Sequence, residues 1–120
     1  MAYITLFGLE KDLTDQLASV LGAQQHHVEI TGCLDDAMRP GGAEIVFCSG
    51  DTADYGELLG ELTSRGTRPA IVVVNRHPEN SRWLDALELG ATDYCGAPFE
   101  PTLMRWLVDS VLRRERAAAA

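Results

Sequence analysis

The chain has 120 residues, of which 46% are hydrophobic and 23% are charged, and its formal net charge is -8. This length suits one globular domain with a single core, and the composition is ordinary for such a domain. The negative charge argues against nonspecific nucleic-acid binding, because clustered cations hold phosphate backbones. No apolar run approaches the roughly 20 residues of a membrane span, and no signal peptide precedes the first strand pattern.

The first half of the chain alternates between apolar, β-branched runs and segments with helical spacing of leucines and valines. The predicted elements are a strand at Tyr3–Phe7, a helix at Lys11–Leu21, a strand at Val28–Thr31, a short helix at Leu34–Met38 and a strand at Ile45–Cys48. Gly22 is the expected stop of the first helix. Pro40, Gly41 and Gly42 break the second helix after one or two turns.

The second half continues the same alternation. The predicted elements are a loop over residues 49–54, a helix at Tyr55–Ser64, a strand at Ala70–Val74, a polar loop at Asn75–Asn80, a helix that ends at Gly90, a strand at Asp93–Cys95 and a helix from Pro101 toward Arg116. Ala97 and Pro98 form a tight turn in which a cis peptide bond is possible. We place the domain at residues 1–116, and residues 117–120 extend the last helix or begin a linker.

Five strands that alternate with helices predict an α/β fold, in which a parallel sheet is covered by helices on both faces. Three cysteines, Cys33, Cys48 and Cys95, follow no metal-binding spacing. Cys48 and Cys95 fall on the third and fifth predicted strands. If the fourth strand lies between these two in the sheet, they are roughly 10 Å apart, which is too far for a disulfide. We therefore expect reduced thiols and a cytoplasmic location.

The stretch from Ala86 to Phe99 reads A-L-E-L-G-A-T-D-Y-C-G-A-P-F. It resembles the receiver domain of bacterial response regulators, whose last third carries A-L-x-x-G-A-x-D-Y-x-x-K-P-F. The positions that match without a gap are Ala86, Leu87, Gly90, Ala91, Asp93, Tyr94, Pro98 and Phe99. The resemblance covers Tyr3 to Leu112 and implies a five-stranded, doubly wound parallel sheet with strand order 2-1-3-4-5.

The resemblance also implies where a phosphorylation pocket would lie. In receivers, two acids after the first strand hold Mg²⁺, an aspartate at the end of the third strand accepts the phosphoryl group, and a hydroxyl and a lysine bind its oxygens. The corresponding positions here are Gly8, Leu9, Ser49, Val74 and Ala97. None of the five functional residues is retained, so this looks like a degenerate receiver, or pseudo-receiver.

Small shifts of the alignment recover little of that pocket. A shift of one residue recovers Glu10 as a single acid, and a shift of two reaches Asp51, in the loop beyond the third strand. A displaced Mg²⁺ site could use Glu10, Asp12, Asp51 and Asp54, but solvated loop acids and helix N-terminal charges explain these residues better. A working phospho-receiver that uses Asp51 is our third hypothesis.

Other side chains give no stronger site. Ser49 has no evident base, and it fits a strand-end serine that caps its own turn. His26 and His27 are adjacent, so their side chains point to opposite faces of a strand and do not form a metal site. His77 has no evident partner. We expect no catalytic residue, no metal and no cofactor.

Our functional hypothesis is a phosphorylation-independent receiver domain of a two-component system, which acts in signal transduction as a protein-interaction module. It is free-standing or fused to an output domain, for example one for transcription regulation, and it is not an enzyme. The alternative is a small-molecule sensor, because Leu9, Val74 and Ala97 would make the crevice more apolar. A simpler interpretation is that these three residues pack the vacated pocket.

Two aromatic residues are candidates for a communicating surface. Tyr94 persists although the phosphorylation residues do not. Trp106 lies roughly 140° from the centre of the apolar stripe of the last helix, so we expect it to be exposed, and aromatic residues are enriched in interface hot spots. We hypothesise a homodimer or partner contact through this helix. The alternative is that Trp106 lies flat on the helix beside Arg105 and Arg113.

Overall fold

The computed structural model describes residues 2–37, 42–51, 56–57, 60–61, 69–76, 85, 87–88 and 90–119. Its five strands are β1 (Tyr3–Phe7), β2 (His27–Thr31), β3 (Ile45–Ser49), β4 (Ala70–Asn75) and β5 (Asp93–Gly96). They form one parallel sheet with the order β2-β1-β3-β4-β5. The predicted fold class and strand order are confirmed.

Three helices have defined bounds, namely α1 (Lys11–Ala23), α2 (Leu34–Ala37) and α3 (Pro101–Ala119). Residues 56–57, 60–61, 85 and 87–88 are also helical, within the two helices predicted on either side of β4. The other residues of those two helices, and His77 in the predicted polar loop, lie outside the described residues. Within the part of the chain that the structure describes, no helix is both long and apolar enough to cross a membrane.

Side chains on the two faces of the sheet enter separate cores, because successive residues of a strand point in opposite directions. One face, with α1 and α3, forms what we call the large core, whose buried members include Leu6, Phe47, Val74, Leu17 and Val108. The other face forms the small core, whose members include Phe7, Val46, Cys48, Val73 and Ala37 of α2. Every side chain of β3 is buried. This agrees with its continuous apolar run, which predicted a central strand of a parallel sheet.

Four strands are one residue longer than predicted. β2 begins at His27, while β3, β4 and β5 end at Ser49, Asn75 and Gly96. Each added residue has a partner on a neighbouring strand, for example His27 opposite Tyr3 and Ser49 opposite Val74. Hydrogen bonding to a neighbouring strand therefore extends each of these strands by one residue that lies outside its apolar run.

The predicted stop of α1 at Gly22 is wrong. The helix continues to Ala23, and Gln25, with φ of 67°, adopts the left-handed conformation instead. The Gln24 side chain donates a hydrogen bond of 2.8 Å from Nε2 to the carbonyl oxygen of Pro101. This contact joins the end of α1 to the start of α3. The end of α1, two residues beyond the predicted one, therefore lies next to a tertiary contact.

The C-terminal stretch agrees with its sequence pattern. Gly90 has φ of 105°, and the Ala97-Pro98 peptide bond is cis. The Glu100 carboxylate accepts hydrogen bonds from the backbone N–H groups of Leu103 and Thr102, at 3.0 and 3.2 Å. These bonds lower the pKa of Glu100 and satisfy two N–H groups that the first turn of α3 would otherwise leave unpaired.

The cysteines are free, and the two on strands lie on opposite faces of the sheet. Cys48 belongs to the small core, whereas Cys95 packs against the large core. Burial raises the pKa of both thiols to about 12. These are inert packing residues at neutral pH, because the thiolate is the reactive form.

Candidate functional site

The candidate site is the carboxyl edge of the sheet, by which we mean residues 8–12, 49–51, 74–76 and 95–97. All five strands run in the same direction, so the segments that follow them meet at this edge. Folds of this type bind ligands at the carboxyl ends of their strands. The edge contains every position of the predicted degenerate pocket, namely Gly8, Leu9, Glu10, Ser49, Val74 and Ala97.

Three of these positions belong to the core. Val74 is fully buried in the large core, and Leu9 and Ala97 are partly buried and pack against that same core. A surface cavity of about 180 Å³, lined in part by Tyr3 and His27, lies at the opposite end of β1. The contacts of Leu9, Val74 and Ala97 thus resemble core packing more than the wall of an open pocket.

Gly8 begins the loop after β1 in a left-handed conformation, with φ of 66°. Its N–H donates a hydrogen bond of 3.2 Å to the carbonyl oxygen of Thr31. A Cβ atom at this position would meet open space. Backbone conformation, and not lack of room, therefore favours glycine here.

The loop after β3 lies very close to β4. A Cβ atom on Gly50 would come within 2.6 Å of both Asn75 Oδ1 and Val73 Cγ1, so a side chain does not fit there. The Gly50 N–H donates to the Val74 carbonyl oxygen at 2.8 Å. Ser49 is buried, and its Oγ accepts a hydrogen bond of 3.1 Å from the Asp51 N–H, which is the turn cap that the sequence suggested.

Both carboxylate oxygens of Asp51 are hydrogen-bonded to the end of β4. Oδ1 accepts from Asn75 Nδ2, and Oδ2 accepts from the Arg76 backbone N–H, each at 2.8 Å. Asn75 is itself almost fully buried, so its amide needs such a partner. Asp51 therefore fastens the loop after β3 to the segment after β4.

Arg76 continues this network toward α1. Its Nη1 and Nη2 atoms donate to the two carboxylate oxygens of Asp12 at 2.6 and 2.8 Å. Nη2 also lies 3.1 Å from Glu10 Oε2. The hydrogen bonds from Arg76 lower the pKa of Asp12 to about 2, and those same bonds raise the pKa of the guanidinium.

The structure thus brings Glu10, Asp12 and Asp51 to one edge, around Arg76. Asp54, the fourth residue of the hypothetical displaced Mg²⁺ site, lies outside the described residues. Across the ranges described, no group of three or more His, Cys, Asp or Glu side chains has an arrangement that could hold a metal ion. The acids at this edge are arranged around a guanidinium.

Arg76 and Asn75 were not predicted as site residues, because their polar surroundings in sequence indicate a loop. One signal was available, since Arg76 is a cation that directly follows β4, at the edge of the sheet where the acids after β1 also lie. The distance in sequence from Arg76 to Asp12 is 64 residues. No local pattern links positions so far apart.

The candidate interface residues have different environments. Tyr94 is half-buried against the small core. Trp106 is 73% exposed, as predicted, and Leu103 is 65% exposed on the same helix. A shallow surface depression contains Trp106 together with Asp109, Ser110 and Arg113.

No family model matches this sequence, and no curated protein matches it. The fold is similar to solved structures of response regulators. NtrX from Brucella abortus, in complex with ADP, has a TM-score of 0.83 and 21% identity, and the match covers 99% of this chain and 29% of that one. This chain therefore spans less than a third of the length of that NtrX chain.

Two further similar structures match over nearly their whole length. A two-component response regulator from Clostridium difficile has a TM-score of 0.77 and 20% identity, over 95% of this chain and 98% of that one. A response regulator receiver domain protein from Clostridium thermocellum has a TM-score of 0.81 and 13% identity, over 98% and 99%. This chain has the fold of receiver domains.

Proposed function

We propose that this chain is a degenerate receiver domain, which signals through protein contacts and independently of phosphorylation, and that it is not an enzyme. The observation that carries the proposal is the composition of the carboxyl edge. Val74 and Ala97 pack with the large core where a phosphorylated receiver would need a hydroxyl and a lysine. Ser49 stands where it would need the acceptor aspartate.

The chemistry of phosphoryl transfer supports this proposal. An acceptor carboxylate needs an accessible oxygen, and the charge that develops on the phosphoryl group needs nearby cations. Both oxygens of Asp51 already accept hydrogen bonds. The guanidinium of Arg76 is engaged by Asp12 and Glu10, so it is not directed at an incoming phosphoryl group.

The proposal is tested by incubating the protein with acetyl phosphate and Mg²⁺ and measuring its intact mass. We expect no phosphoryl adduct. In parallel, beryllofluoride and millimolar Mg²⁺ should cause no saturable amide shifts at Gly8, Ser49 or Ala97. An adduct that persists in Ser49→Ala and disappears in Asp51→Asn would contradict the proposal and identify Asp51 as the acceptor.

The sensor alternative has less support. It needs an open apolar crevice, whereas Leu9, Val74 and Ala97 pack against one core. Leu9→Ala would be the sharpest test of this difference. If these residues only pack, the variant loses stability in proportion to the apolar surface removed and gains no affinity for small apolar probes such as the dye ANS.

We propose that the signal passes to an output domain or a protein partner in the cytoplasm. This chain spans 29% of the NtrX chain that it resembles, which fits one domain of a larger protein. The acidic composition, with a net charge of -8, suits protein contacts better than direct contact with nucleic acid or a membrane.

We propose α3 as the contact surface, with a second copy of the chain as its occupant. Trp106 and Leu103 are exposed on this helix, and Asp109 and Arg113 flank Trp106 in the surface depression. If two antiparallel copies of α3 pair around the point between Asp109 and Ser110, Trp106 of each copy meets Arg113 of the other in a cation–π contact. A two-fold interface repeats the same contact twice.

Sedimentation of Trp106→Ala tests this interface, with Arg105→Ala as a control on the same helix. We expect the wild-type chain and the control to associate, and Trp106→Ala to remain monomeric with an unchanged circular dichroism spectrum. If all three associate equally, the assignment of Trp106 is wrong. If the wild-type chain is monomeric at every concentration, the homodimer is wrong.

A further inference from the structure

We propose that Arg76 is a built-in clamp of the carboxyl edge, which joins the segments after β1, β3 and β4 in one arrangement. The clamp consists of Arg76 with Glu10, Asp12 and Asp51. It is independent of the proposed signalling function, since it concerns how the edge is held and not what the domain contacts.

The clamp has two separate attachments. The Arg76 side chain binds Asp12 through two hydrogen bonds and Glu10 through a third polar contact. The Arg76 backbone N–H binds Asp51. One residue therefore connects the first turn of α1 with the loop after β3, and both of these to the end of β4.

The planar guanidinium is suited to the side-chain attachment. Its paired N–H groups match the two oxygens of a carboxylate, which a lysine ammonium cannot do. Nη2 is shared between Asp12 and Glu10, so one cation holds two acidic side chains together. Without it, the two carboxylates would repel each other, and the first turn of α1 would lose its link to β4.

The backbone attachment should survive when the side chain is changed. It uses the Arg76 N–H, and Asp51 has a second partner in Asn75. The Gly50 N–H also holds this loop against β4 through its hydrogen bond of 2.8 Å to the Val74 carbonyl oxygen. A variant of the Arg76 side chain therefore releases α1 selectively and leaves the contact between the β3 loop and β4 in place.

The test compares Arg76→Gln and Arg76→Lys with the wild-type chain, and Arg105→Gln serves as the matched control on α3. Carboxyl NMR gives the pKa of Asp12, and amide hydrogen exchange reports on the first turn of α1, where the Thr14 N–H donates to the Glu10 carbonyl oxygen. In Arg76→Gln we expect the Asp12 pKa to rise from about 2 toward its ordinary value of 3.8.

Amide exchange in the first turn of α1 should become about two- to fivefold faster in Arg76→Gln, the range for an exposed ion pair. Arg76→Lys should give intermediate values, and Arg105→Gln should match the wild type. Exchange at Gly50 and at Arg76 itself should change least, because the backbone attachment remains. An unchanged Asp12 pKa in Arg76→Gln would overturn the clamp, as would equal acceleration at Gly50.

A second variant keeps the test decisive if Arg76→Gln folds poorly. Asp12→Asn removes the other partner, and it should accelerate exchange in the first turn of α1 to the same extent. Combining Asp12→Asn with Arg76→Lys should add little further acceleration, because partners of one interaction are not additive. Fully additive effects of the two substitutions would mean that the residues act separately, and the clamp would be wrong.

Discussion

The centre of the sheet and its carboxyl edge meet at three consecutive residues of very different surroundings. Val74 is fully buried among apolar side chains, Asn75 is a buried amide with a carboxylate partner, and Arg76 is one-third exposed and bound to two acids. The chain thus passes from an apolar core to an ionic network within two residues. The two regions are held by different forces, and they should respond differently to substitution.

At the centre, stability comes from burial, at about 25 cal/mol per Å² of apolar surface removed from water. At the edge, the ion pairs are exposed, and exposed pairs are individually weak. What the edge gains is a defined arrangement of loops. The comparison therefore predicts large losses of stability at the centre, and mainly local changes at the edge and on the surface of α3.

The largest effect is expected at Phe47, which is fully buried in β3. Phe47→Ala should lower the free energy of unfolding by about 3–5 kcal/mol, because it removes a large side chain and leaves a cavity. Urea denaturation measures this loss. Leu103→Ala, on the exposed face of α3, serves as the control, and equal losses in the two variants would erase the distinction between core and surface.

A smaller effect is expected where the centre meets the edge. Val74→Thr places a hydroxyl in the large core, and Val73→Thr places one in the small core, on the other face of β4. Each should cost about 1–3 kcal/mol. If Val73→Thr lowered the free energy of unfolding and Val74→Thr did not, Val74 would line a polar crevice and would not belong to the large core.

A pH effect is expected at the amino end of β1. Burial lowers the pKa of His26, and its Nδ1 accepts a hydrogen bond of 3.1 Å from the Ala2 N–H, so the folded chain favours the neutral ring. Its folded-state pKa lies below the unfolded value. The contribution of His26 to stability is therefore complete above pH 6.5 or so and is lost as the pH falls through the folded-state pKa.

Urea titrations at pH 7.5 and 5.5 check this expectation. The loss of stability between the two pH values should be smaller in His26→Gln than in the wild-type chain, because glutamine does not titrate. His27→Gln is the matched control, since His27 is an exposed neighbour whose ring contacts that of Tyr3 in a tilted arrangement. Equal pH dependence in wild type and His26→Gln would assign the effect to other groups.

The smallest effect on stability is expected at Trp106. Because this side chain is 73% exposed, Trp106→Ala should change the free energy of unfolding of the monomer by less than about 0.5 kcal/mol. The measurement is made at a concentration where the chain is monomeric. A loss of several kcal/mol would show that Trp106 packs within its own domain and is not available for a contact with another copy.

The sequence determined the strands and the fold. The apolar runs at Ile4–Phe7, Ile45–Cys48 and Ala70–Val74 favour burial on both sides, which a parallel sheet with helices on both faces provides. The motif from Ala86 to Phe99 identified the receiver-like architecture, and through it the strand order. These features depend on residues that are close together in sequence, so local patterns were sufficient.

Only the tertiary structure decided how the carboxyl edge is arranged. Arg76 and Asp12 are 64 residues apart, and Asp51 is 25 residues from Arg76. Their contacts exist because parallel strands bring their following loops to one edge of the sheet. A cation after a strand indicates that an acidic partner can lie at the same edge, but no local pattern shows which distant residue it is. For that reason the acids after β1 were predicted as solvated side chains, whereas in the structure they bind Arg76.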